Sequence, residues 1–128
     1  MKSRVLWSMI SVVHLVITVA PLTWLLLFYD VVRIVVQRLH HWPRLFVDSA
    51  QFTVIDTPFN DALTNCIDYL GVALPVIIPL WIVITFTYGS RDRSIVHPVR
   101  LAIFAVGIVG IAFLLIVDPH GLWNWWLD

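Results

Sequence analysis

Three apolar runs, Val5–Phe28, Leu70–Tyr88 and Val99–Val117, constrain this chain more than anything else in it. Each is close to the roughly 20 residues that a helix rising 1.5 Å per residue needs to cross about 30 Å of hydrocarbon. Lipid offers the backbone no hydrogen-bond partners, so a segment that spans it must satisfy its own amides as a helix. The sequence therefore predicts an all-α integral membrane protein with three transmembrane helices, at about 5–28, 67–88 and 99–117, in one membrane domain covering residues 1–128. The basic start and first apolar run resemble a secretory leader. The run continues through Pro21 to Phe28 without a small-x-small cleavage site, so it is expected to stay as the first span.

The formal net charge of zero conceals an asymmetry along the chain. Lys2, Arg4, Arg91, Arg93 and Arg100 flank one end of the runs with only Asp92 among them. Asp30, Asp48, Asp56, Asp61, Asp68, Asp118 and Asp128 flank the other, with Arg33, Arg38 and Arg44. Short cationic segments stay cytoplasmic during insertion. This places the N-terminus inside and the C-terminus outside, the orientation expected in a bacterial inner (plasma) membrane.

Between the first two spans, residues 31–57 are expected to form an outer interfacial segment. Phe28, Val31, Val32, Val35, Val36 and Leu39 recur at helical spacing opposite Asp30, Arg33 and Gln37, as in an amphipathic helix. A straight helix from Val5 to His41 would be about 55 Å long. A bend near Tyr29-Asp30 is therefore expected, with Val31–His41 lying on the outer surface, Trp42 as an anchor and Pro43 as a stop. Residues 44–56 have no clean period and fit a short helix, a strand or a loop. Thr57-Pro58 reads as an N-cap followed by proline at the first helical position. Gly71, Pro75 and Pro79 strip bulk from one side of the second span, and Gly107 and Gly110 do so on the third. Trp123, Trp125 and Trp126 form an aromatic belt in the outer tail, 118–128.

His14 is the one ionisable side chain expected deep in the first span, on a polar stripe with Ser11, Thr18 and Pro21. It suits either a hydrogen bond across a helix interface, within the protein or to a partner, or an axial haem ligand. Asp61, Asn65 and Asp68 follow at i, i+4 and i+7, a row able to meet cations, a partner's arginines or a quinone head group. The solvated alternative pairs them with Arg33, Arg38 or Arg44, for well under about 1 kcal/mol per exposed pair. Partner contacts are thus expected at His14, Asp61, Asn65, Asp68, Gly107 and Gly110. Cys66, the single cysteine, reads as a packing residue.

No nucleophile elbow, phosphate loop, zincin helix or paired-cysteine motif occurs, and no catalysis is expected. The leading functional expectation is a non-catalytic integral membrane subunit or accessory protein within a larger inner-membrane complex, in contact with other membrane subunits and lipid. The alternatives are an immunity or inhibitor protein against a membrane-targeting toxin, or a respiratory anchor holding haem b or quinone. In format the chain is similar to small respiratory oxidase subunits and succinate dehydrogenase anchors, but their histidine and arginine motifs are missing.

Overall fold

A computed structural model describes residues 2–43 and 58–127. Among these, all regular structure is helical. The elements are α1 (Lys2–Leu39), α2 (Pro58–Tyr88), α3 (Pro98–Val117), a single 3-10 turn (Pro119–Gly121) and α4 (Leu122–Leu127). Three of the helices, α1 to α3, are long and apolar enough to cross a membrane, as the sequence predicts for a multi-pass membrane protein. The region 44–57 lies outside the described residues, and with it both the irregular stretch 44–56 and the Thr57 cap.

The expected bend at Tyr29-Asp30 is absent: α1 is one continuous helix of 38 residues, about 57 Å long. Its apolar seam explains why. Ser11, His14, Thr18, Pro21, Leu25, Phe28, Val32, Val35 and Leu39 alternate steps of three and four, the spacing that keeps one stripe facing a neighbouring helix. The valines after Asp30 are in phase with the span before it, so nothing demands a change of direction. Val31, Val32 and Val35 are buried in the core with Phe28 and Ile67. Segment 31–39 is therefore the far end of α1, not a separate helix lying on the surface. It stops at Leu39 because His40 takes a left-handed conformation (φ 58°), its amide bonded to the Val36 carbonyl. Pro43 lies beyond that stop.

α1 is the central helix and packs along both α2 and α3, which meet each other mainly through large side chains such as the stacked Trp81 and Phe104. α2 has a matching seam at Ile67, Gly71, Leu74, Ile78, Trp81, Thr85 and Tyr88, and α3 one at Arg100, Phe104, Gly107, Ile111 and Leu114. Gly107 lets the backbones of α1 and α3 approach closely. A Cβ there would come within 2.6 Å of the Leu22 amide nitrogen and 2.9 Å of the Pro21 Cβ. A Cβ on Gly110 would strike Leu25. In lipid, where apolar burial gives little drive, such close approach is a main source of helix association.

The two ends of the bundle are closed differently. At one end the link 89–97 folds inward and buries Ile95 among Ile17, Trp81, Ile84 and Phe104. His97 then caps α3, its Nδ1 accepting from the Val99 amide, with Pro98 in the first turn. At the other end Asp118 stops α3 in a left-handed conformation (φ 44°) and turns the chain back. Its carboxylate accepts from the Trp123 amide at 2.6 Å and the Asn124 amide at 3.3 Å. These bonds hold α4 so that Leu122 and Trp125 enter the core beside Phe28 and Val35.

Candidate functional site

The main convergence of polar side chains is at the link end, where all three spanning helices contribute. It starts with the stripe on α1. His14 and Thr18, one turn apart on the seam, are fully buried, and Ser11 lies one turn toward the link. The Thr18 hydroxyl donates to the His14 carbonyl at 2.6 Å and accepts from the Trp81 indole N–H at 2.8 Å. On α2 the Thr85 hydroxyl donates to the Trp81 carbonyl at 2.8 Å, which leaves its oxygen to accept from His14 Nε2 at 3.0 Å. The imidazole stacks on the Trp81 ring, with centroids 5.4 Å apart.

Arg100, in the first turn of α3, completes the cluster. Its guanidinium donates to the Ser11 carbonyl and hydroxyl, each at 3.2 Å, and lies 3.4 Å from His14 Nδ1. A guanidinium has only donors, so Nδ1 must be the acceptor and Nε2 carries the ring proton. The hydrogen bonds thus fix a neutral imidazole in a single tautomer. Ser11 in turn meets the Ser94 hydroxyl at 3.0 Å, and the Ser94 amide donates to Asp92 at 2.9 Å. Hydrogen bonds from the Ser94 hydroxyl and amide hold the Asp92 carboxyl below the usual carboxylate range. One polar chain therefore runs from the link to the middle of the α1–α2 interface.

Of the positions singled out in the sequence, His14, Gly107 and Gly110 face the protein's own helices, so the chain itself covers them. Both nitrogens of His14 are engaged within the protein, by Thr85 and Arg100. Asp61, Asn65 and Asp68 are exposed on α2 near the opposite end. Thr85 and Asp68 are 17 residues apart, about 26 Å along α2, so His14 and the aspartates do not form one site. Arg33 pairs with Asp30 at 2.6 Å on its own helix, the only ion pair among the described residues. The acidic row thus has no cationic partner there. Cys66 is exposed beside it.

The Gly-Pro-Pro side of α2 is divided. A repeat of four drifts about 40° around a helix at each step. Gly71 accordingly faces inward, where its missing Cβ admits Trp24, whose indole N–H reaches the Ile67 carbonyl at 3.0 Å. Pro75 and Pro79 face outward. Trp81, Thr85, Ser94 and Arg100 are site members that the sequence does not single out, and Arg100 reads there only as part of the basic flank. Its position on the seam with Phe104, Gly107, Ile111 and Leu114 is the signal that points it inward. Neither a family model, nor a curated protein, nor a solved structure matches the chain.

Proposed function

We propose that this chain is a non-catalytic integral membrane subunit or accessory protein of a bacterial inner-membrane complex, with the N-terminus inside and the outward face of α2 against a partner polypeptide. One observation carries the reading. Asp61, Asn65, Asp68, Val72, Pro75 and Pro79, in steps of three and four, make a single row that neither α1 nor α3 covers. Only 11% of the most apolar stretch of α2 is buried inside the protein, against 28% for α1 and 17% for α3. Prolines at 75 and 79 remove the amides that would bond the carbonyls of Gly71 and Pro75, a loss that lipid cannot make good. A partner helix bearing donors or cations satisfies such a face.

Cys66 borders this row and is the sole cysteine, so it reports on the face without engineering. In native membranes Cys66 should be protected from a small maleimide, and mild detergent extraction should bring the chain out in a heteromeric particle. The purified chain alone should label readily. Equal labelling in membranes and in isolation, together with extraction as a monomer, would reject the proposal. The orientation is tested separately by Asn124→Cys in a Cys66→Ser background, which should react from outside intact cells with an impermeant reagent.

A further inference from the structure

At the tryptophan end α4 folds back beside α1 and α2 and leaves a groove of about 300 Å³. Trp24, Gly71, Val72, Trp123 and Trp126 line it, and Asp68 stands on its wall. Asp68 makes no hydrogen bond or ion pair with any described residue, in a setting otherwise built of indole and aliphatic carbon. We infer that this groove binds the head group of an ammonium-bearing phospholipid.

The chemistry of the lining selects that occupant. A carboxylate in a groove of indole side chains is complementary to a cation, through charge and through the electron-rich rings around it. Trp24 has its N–H committed to the Ile67 carbonyl and its ring stacked on Phe28, and it serves as the apolar floor of the groove. The N–H groups of Trp123 and Trp126 donate to no described residue and remain available to a phosphate. Below the groove Val72 and Val76 are 80% and 69% exposed on α2, an apolar track for an acyl chain. Tryptophans concentrate at the depth where lipid head groups lie, so the ligand is at hand where the groove opens. The volume admits a head group and its first carbons and not a whole lipid. Asp68 and Val72 belong also to the row proposed to meet a partner, so the lipid occupies this groove only where the partner does not, and the test uses the chain by itself.

Native mass spectrometry of the purified chain with phosphatidylethanolamine, phosphatidylcholine or phosphatidylglycerol tests this. Phosphatidylethanolamine, able both to donate hydrogen bonds and to sit over the rings, should be retained about ten-fold better than phosphatidylglycerol. Phosphatidylcholine, which keeps the cation but loses the donors, should fall between them. Asp68→Asn should abolish the preference while leaving helix content and melting unchanged, and Trp123→Leu should weaken retention of both ammonium lipids. Equal retention of phosphatidylglycerol, or an undiminished preference in Asp68→Asn, would overturn the assignment. So would failure to hold any of the three lipids, which would leave Asp68 to a partner's cation.

Discussion

The two ends of this bundle solve the same problem with opposite materials. At the link end the helices are joined by side chains that satisfy one another: Arg100, Ser11, His14, Thr85, Trp81 and Thr18 share their donors and acceptors around a neutral ring. At the tryptophan end they are joined by stacked and edge-on aromatics, with Phe28 against Trp24, Trp123 and Trp126. Polar bonds are directional, so the link end fixes register and rotation. Aromatic packing supplies more contact and less direction, and there the structure leaves an open groove and, among the described residues, a carboxylate and a buried Thr64 hydroxyl without a partner. The saturated end is suited to hold the helices, and the unsaturated end to meet something else.

Breaking the aromatic end should cost the most. Trp125 is completely buried and anchors α4. Trp125→Ala removes the largest side chain in that core and should destabilise the protein by about 3–5 kcal/mol, read by denaturant or thermal unfolding in detergent. Because α4 also walls the groove, Asp68 and Gly71 on the opposite wall should become more accessible to solvent. A loss under about 1 kcal/mol would mean that α4 is only loosely docked.

Arg100→Leu comes next. It leaves the Ser11 hydroxyl and His14 Nδ1 short of a donor in a site that water reaches poorly, at a cost of about 1–3 kcal/mol. The same change should free the imidazole from its single tautomer. Nitrogen NMR of the ring should show Nε2–H alone in the wild type and a mixture in the variant. A single unchanged tautomer would show that Thr85, not Arg100, sets the proton's position.

Much of this contrast was legible in the residues before any coordinates. Three spans, the inward polar stripe on α1 and the close approach at Gly107 all follow from spacing and residue size. The phase that joins one segment to the next is lost when segments are read singly. The amphipathic pattern of Val31–His41, with Asp30, Arg33 and Gln37 opposite the valines, and the excess length of a straight helix over a bilayer core both point to a surface helix after a bend. Continuity of the seam from Ser11 to Leu39 carries the opposite message, visible only when the whole run is phased together. Arg100 was hidden by the convention that flanking cations orient a span, although a long side chain on an inward seam can do this and bond internally too. The role of Asp118 as both stop for α3 and hold for α4 depends on a left-handed turn at a non-glycine residue, for which sequence gives little warning.

One substitution made twice sharpens the comparison further. Thr18→Val removes a hydroxyl that both donates and accepts, strands the Trp81 indole N–H, and should destabilise by about 1–2 kcal/mol. Thr64→Val removes a buried hydroxyl that bonds to none of the described residues and keeps the branched shape, so it should stabilise by about 1 kcal/mol. Opposite signs in the same unfolding assay would establish that one end is saturated and the other is not. Destabilisation at both sites would show that Thr64 has a bonding role and that the ends differ less than their geometry implies.

The smallest effect is a titration at the rim of the saturated end. Hydrogen bonds from Ser94 favour the charged form of Asp92, whose pKa therefore lies below the ordinary value of 3.8. A depressed carboxyl contributes stability that is present above about 3.8 and disappears as the pH falls through its lower folded value. Between neutrality and pH 5 the link should thus hold steady, and it should loosen only in stronger acid. Ser94→Ala removes the hydroxyl bond, the larger cause, and should move the Asp92 carboxyl up toward 3.8 in a carbon-13 NMR titration, while Ser11 loses a neighbour. A coincident curve for wild type and variant would detach Asp92 from the polar chain and end the cluster at Ser94.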